Sequence, residues 1–174
     1  VSFSTRHQQM EQDRTSDVLL HYKELACPPP GESGSDRQSN RQHYDTDALD
    51  ASVLLAAIFG FLPGDDERLR ATVGAIASDL TENGFVLRYH TDETDDGLSG
   101  KEGTFLICSF WLVSALAIVG ELRRARDLME RLLAVTSPLG LYAEEFDVET
   151  GRHLGNFPQA FSHLALIEAA ARII

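Results

Sequence analysis

Leu141–His163 reads LYAEEFDVETGRHLGNFPQAFSH. Two carboxylates, Glu144 and Glu145, stand side by side in a stretch broken by Gly151, Gly155 and Pro158. It lacks the three-and-four spacing of apolar residues that an amphipathic helix needs. Helix-like segments lie on both sides of it. Carboxylates on a loop over a rigid helical scaffold are what acid/base hydrolysis requires. Acidic loops on an acidic chain are equally ordinary solvated surface, and the residues by themselves leave both readings open.

Working outward, the flanking segments alternate in kind. Asp47 to Phe59 is apolar nearly all round, through Leu49, Val53, Leu54, Leu55, Ile58 and Phe59. Asp66 to Leu80 is amphipathic, with Leu69, Val73, Ile76 and Leu80 on one face. Thr104 to Val119 is again apolar all round, and Glu121 to Val135 again amphipathic. Pro158, a residue favoured at a first helical position, opens a third apolar helix through Leu164 and Ile167. Helices apolar on every face are buried on both sides, whereas amphipathic ones meet water. The expected order is therefore buried, outer, buried, outer, buried. Leu49, Phe105 and Phe161 fall at equivalent places in the buried helices, 56 residues apart each time.

The links alternate too. Gly60 to Gly64, and essentially Gly120 alone, are short; residues 81–103 and 137–157 are long. In antiparallel pairs this puts both long links at one end, and long links in compact domains are usually functional. The pattern describes a ring or solenoid of helical hairpins with one elaborated mouth, facing which Arg88 and Glu144 share a cleft.

Net charge is −12, from 27 acidic against 15 basic residues. That disfavours nucleic acid, which is bound mainly by neutralising phosphates, and anionic membrane surfaces alike. The longest apolar run, Phe105 to Val119, is 15 residues with Ser109 and Ser114 inside, short of a membrane span. Cys27 and Cys108 form no disulfide framework or metal knuckle, a pattern compatible with a reducing cytoplasm. No basic-then-apolar signal segment opens the chain. Residues 1–43 differ from the rest. From Pro28 to His43 no aliphatic residue occurs, so this leader is expected to be disordered, with the folded region at 44–174.

The Leu141–His163 stretch resembles the base-bearing loop of glycoside hydrolase family 15, the glucoamylases and their bacterial trehalase-like relatives. In that family Glu, then Glu or Gln, an aromatic residue and Asp precede an Asn-Phe-Pro-Gln-Ala-Phe-Ser-His run. Here those positions are Glu144, Glu145, Phe146 and Asp147, then Asn156 to His163. The likeness continues through DALDASVLL (47–55), GFLPGDDERLRATVGAI (60–76), Arg88-Tyr89 and KEGTFLICSFWLV (101–113). It implies an all-α fold, a partial (α/α)6 barrel comprising roughly the C-terminal half of that helical-hairpin toroid. It also implies hydrolysis of α-glucosidic bonds, of the trehalose or α-glucan type, by an inverting acid/base mechanism with an α-glucoside as partner and no cofactor or metal.

Within that resemblance Glu144 aligns with the general base and Arg88 with an arginine that binds glucosyl hydroxyls, although an exposed ion pair would also suit Arg88. Tyr89 packs on a sugar face or simply within its loop. Glu102, on the other long loop, either faces the mouth or sits as a carboxylate at a helix N-terminus. Glu145 is a further substrate-binding candidate. It is no candidate for the second catalytic carboxyl, since adjacent side chains on one loop do not bracket a glycosidic bond. The family's general acid belongs to a Trp-Glu segment, and the single Trp here, Trp111, precedes Leu112. The isolated chain is accordingly expected to be inactive. The other reading is a non-catalytic α-hairpin module that binds a protein or sugar. His153 and His163 are read as hydrogen-bonded loop residues rather than metal ligands. Oligomeric state is not legible.

Overall fold

A computed structural model of the chain describes residues 48–90 and 103–174. The expected leader, Asp47 and Glu102 lie outside them. A 3₁₀ turn, Ala51–Leu54, runs into the short helix α1 (Leu55–Ile58). It is followed by α2 (Glu67–Asp79), α3 (Leu106–Ile118), α4 (Leu122–Ala134) and α5 (Ala160–Ile173). All five helical segments expected from the periodicity are present; the first is reduced to a 3₁₀ turn and a four-residue helix that ends at an exposed Phe59, and the last runs past Ile167 to Ile173.

Helix α3 is the centre of the described region. Leu106, Cys108, Phe110, Leu112, Val113, Ala115 and Leu116 cover its whole circumference and are all buried. Each buried Leu, Val or Phe side chain contributes roughly 1.5–3 kcal/mol relative to exposure. Such a helix needs neighbours on every side, and α1, α4 and α5 supply them. Its two serines are both satisfied. Ser109 Oγ accepts the Val86 N–H at 2.9 Å and donates to the Phe105 carbonyl at 3.1 Å. Ser114 Oγ donates to the Glu168 carboxylate on α5. The link before α2 presses against the far end of α3, where a Cβ at Gly64 would lie 2.3 Å from the Ile118 carbonyl oxygen.

Three expectations are corrected. Helix α5 is not buried all round: Ser162, Ala165 and Ala169 face α3, while Phe161, Leu164 and Ile167 are exposed. The cause is its position at an edge, with no further helix beyond it among the described residues. It also starts at Ala160 rather than Pro158, which precedes the N-cap residue Gln159. The long links are not structureless. Strands β1 (Thr81–Glu82) and β2 (Phe85–Val86) form a hairpin over Asn83 and Gly84, both at positive φ. That is the pair of conformations a two-residue turn requires, and Asn-Gly supplies it cheaply. Strands β3 (Thr104–Phe105), β4 (Glu145–Asp147) and β5 (Arg152–Leu154) form an antiparallel sheet with β4 central. Thr104 pairs with Phe146, and Phe146 with His153, so the two long links are hydrogen-bonded into one rim.

Helix α2 shows how the outer helices begin. Asp66 caps it, accepting the Arg68 backbone N–H at 2.9 Å and pairing with the Arg68 guanidinium at 2.8 Å. The Arg68 side-chain hydrogen bond holds the Asp66 carboxyl down at about 2, from an ordinary 3.8. The group is largely solvated, so the capping value is the better guide to its worth. Asp66→Ala should cost about 1 kcal/mol in urea unfolding at neutral pH. A depressed carboxyl stabilises fully above its unfolded value of 3.8 and loses that contribution as pH falls through about 2. The difference between Asp66→Ala and the parent should therefore shrink across that window.

Candidate active site

The N-terminal ends of the inner segments meet the two rim links around a cavity of about 250 Å³. Asp50 and Ser52 contribute from the first turn, Phe105, Ile107, Cys108 and Trp111 from the start of α3, and Gln159, Phe161 and Ser162 from the start of α5. Arg88 comes from one rim link and Glu144 from the other. Two charged side chains singled out from sequence thus share one cavity wall.

Glu144 is placed by a loop with an unusual density of anchors. Tyr142 is fully buried, its ring edge-on to Phe110 at 5.3 Å and its hydroxyl donating to the Leu132 carbonyl at 2.9 Å. Burial pushes the Tyr142 hydroxyl up to about 12, so it remains a donor at any working pH. The Tyr142 N–H donates to His163 Nε2 at 3.3 Å, which leaves His163 Nδ1–H to donate to the Gln159 carbonyl at 2.7 Å. By the same logic Ala143 N–H donates to His153 Nδ1 at 3.4 Å and His153 Nε2–H donates to the Val135 carbonyl at 2.9 Å. Ser162 Oγ donates to the Ala143 carbonyl at 2.8 Å. Both imidazoles are spent on backbone groups. Among the described residues no three His, Cys, Asp or Glu side chains are grouped to hold a metal.

Beyond Ala143 the backbone of Glu144 is tied on both sides. Leu106 N–H, at the start of α3, donates to the Glu144 carbonyl at 3.1 Å, and Glu144 N–H donates to the Asn156 carbonyl at 3.0 Å. The carboxylate itself accepts at Oε2 from Asn156 Nδ2 at 2.9 Å and from the Asn156 N–H at 3.2 Å. Its Oε1 accepts no hydrogen bond among the described residues.

Arg88 is set by stacking. Its guanidinium carbon lies 4.5 Å from the centre of the Tyr89 ring and 5.7 Å from that of Phe105, and Nη2 donates to the Tyr89 hydroxyl at 2.9 Å. The Arg88 carbonyl accepts the Ala51 N–H at 2.8 Å, and Tyr89 bridges to Asp50, which fixes the backbone under the side chain. No carboxylate pairs with the guanidinium among the described residues.

The other expected site residues are placed differently. Tyr89 is buried beneath Arg88 and does not line the cavity. Glu145 sits in β4 and its carboxylate accepts the Gly103 N–H at 2.8 Å, away from the cavity wall. Glu102 falls outside the described residues. Asp50 lines the cavity and accepts the Ser52 N–H at 2.7 Å. Cys108 and Trp111 belong to the core and also form part of the wall. Burial, reinforced by the Asp50 charge and opposed by Arg88, pushes the Cys108 thiol up to about 12. A thiol so placed stays protonated and is no nucleophile.

Inner helices beside outer ones, with loops gathered over the N-terminal ends of the inner set, define part of a helical toroid with its site at one mouth. The fold matches that of a wild-type glycosidase at a TM-score of 0.74 over 92% of this chain and 44% of the other, at 21% identity. A variant glycosidase solved in complex with glucose matches at the same TM-score and 20% identity. The sequence profile of glycosyl hydrolases family 15 matches residues 31–171, and the chain belongs to that family. It is 67% identical over 133 residues to a trehalase of Mycolicibacterium smegmatis, covering 76% of this chain and 20% of the relative. A trehalase of Mycobacterium tuberculosis is 65% identical over the same length, and one of Thermoplasma acidophilum 42% over 142 residues, 80% of this chain and 24% of the relative. The chain thus spans about a fifth to a quarter of the length of these relatives. No helix among the described residues is long and apolar enough to cross a membrane.

Gly155 tests how tightly the loop holds the carboxylate. It has φ +70°, and a Cβ there would lie 2.9 Å from Glu144 Oε2 and 3.0 Å from its Cβ. Gly151, at φ +68°, would meet nothing within 4 Å. Alanine at either position should cost roughly 1–2 kcal/mol for the left-handed backbone. Gly155→Ala should exceed Gly151→Ala in urea unfolding by the additional contact with Glu144, and equal losses would show that the loop yields freely.

Proposed function

We propose that this chain supplies the base side of an inverting α-glucosidase site acting on a trehalose-type substrate, with Glu144 as general base and Arg88 as the main substrate contact. The observation that carries the proposal is the Glu144 carboxylate: one oxygen is held by Asn156, and the other has no partner among the described residues, on a cavity wall shared with Arg88. The family supports the reaction class, and the trehalases among the relatives favour trehalose over longer α-glucans.

In the reaction a water oxygen forms a bond to the anomeric carbon as its proton passes to Glu144, and the glycosidic C–O bond breaks with a proton delivered to the leaving oxygen. Inversion requires that second proton to come from a carboxyl on the opposite side, about 6.5–9.5 Å from the base. Glu145 is unsuited to it, being engaged with Gly103 N–H. A Trp-Glu pair does not occur in these 174 residues. The relatives are several times longer than this chain, the acid is assigned to the part of such a protein that these residues do not match, and this chain alone is expected to turn over negligibly. Arg88, unpaired with any described carboxylate and stacked on Tyr89, has its fork available for vicinal hydroxyls. The absence of any disulfide pattern favours a cytoplasmic setting.

The test is a chimaera in which residues 44–174 replace the matching stretch of the 67%-identical M. smegmatis trehalase. It should hydrolyse trehalose to one α- and one β-glucose, read by proton NMR before mutarotation. Glu144→Gln should lower kcat by at least about 100-fold with KM little changed, because glutamine keeps the shape but takes no proton. Arg88→Ala should raise KM and lower kcat together. Retention of more than about a tenth of kcat by Glu144→Gln overturns the base assignment.

A further inference from the structure

Asn156 addresses Glu144 three times: its carbonyl accepts the Glu144 N–H, and its own N–H and Nδ2–H both donate to Oε2. The asparagine is exposed, where an amide is ordinarily satisfied by water. Its commitment to one oxygen of one carboxylate is enforced by the backbone, since Gly155 lies so close that any side chain there would strike that oxygen. The terminal torsion of a glutamate is broad and two-fold, so a free carboxylate presents either oxygen to a substrate. Two donors on Oε2 remove that equivalence.

We propose that Asn156 is the positioning residue of the base, fixing the Glu144 carboxylate through Oε2 so that Oε1 alone receives the proton from water. This rests on the reading of Glu144 as base. A proton landing on Oε1 leaves both Asn156 hydrogen bonds intact, so no protein bond is broken in the step. A proton landing on Oε2 would confront two N–H donors. Asn156 touches neither water nor sugar in this role and acts through Glu144 only.

Two measurements test it. In the chimaera, Asn156→Asp keeps the shape but replaces the amide donor by a like charge, and Asn156→Leu removes the donor. Both should lower kcat roughly 10- to 100-fold, the scale of a misplaced catalytic group, with KM within about threefold and an unchanged melting temperature. A role confined to folding would instead move the melting temperature and leave kcat per folded molecule alone. In this chain by itself, Glu144→Gln removes the charge from the acceptor of both Asn156 donors, and the backbone and side-chain amide NMR signals of Asn156 should therefore move together in that variant. Glu144→Gln silencing the chimaera while both Asn156 variants keep kcat within about threefold overturns the positioning role and leaves the base assignment standing. Asn156 signals indifferent to Glu144→Gln overturn it as well. A chimaera that stays active as Glu144→Gln removes the base assignment first, and the positioning role with it.

Discussion

Helix α3 carries no charged side chain, and the rest of the described structure follows from the need to keep it from water. Its whole circumference is apolar except for two serines, each tied to a neighbour: Ser109 to β2 and Ser114 to Glu168 of α5. A helix of this kind fixes the places of α1, α4 and α5 around it. It also fixes where the chain must turn. The short links close at the C-terminal ends of the inner helices, so both long links are left at the N-terminal ends, and the chemistry collects there. Position in the packing, rather than any local motif, sets the location of the cavity.

The Glu144 loop is then held by many modest interactions. A net hydrogen bond contributes about 0.5–1.5 kcal/mol, so none of those from Tyr142, His153, His163 or Ser162 decides the conformation alone. They tie Tyr142 and Ala143 to α4, β5 and α5, and the Leu106 N–H of α3 adds a further tie at Glu144. The β3–β4 pairing adds the other rim link to the same frame. Glu144 consequently sits on a short span of backbone fixed at both ends, which is the precondition for placing a carboxylate to within the tolerance that proton transfer demands.

The helices were legible because their apolar periods are unambiguous, and the alternation of all-round and one-sided patterns separated inner from outer. What periodicity does not report is which neighbours are present, and α5 was therefore read as buried when its outward face is open. The hairpins at the rim were missed although Asn83-Gly84 is a strong local turn signal; strands of two or three residues are too short to show alternation. Glu144 and Arg88 were singled out through the family pattern, and their sharing a cavity was legible in the alternation of link lengths. Asn156 lay inside the quoted motif, yet nothing in a linear sequence says that residue 156 returns to residue 144. Nor does an apolar run reveal that Cys108 and Trp111, which belong to the core, also border a cavity, because residues near the end of an inner helix look the same in sequence whether they meet another helix or a cavity.

The open face of α5 also has a colloidal consequence. Phe161, Leu164 and Ile167 recur every three residues along the helix and form an apolar stripe in contact with solvent. Contact between two such chains is opposed by mutual repulsion, since the chain carries a net charge of −12. That repulsion reaches about 30 Å in 0.01 M salt but only about 8 Å at physiological ionic strength, whereas attraction between apolar stripes is hardly screened at all. Salt therefore shifts the balance toward association, and the chain is best dispersed in dilute buffer, well above its isoelectric point near 4.8.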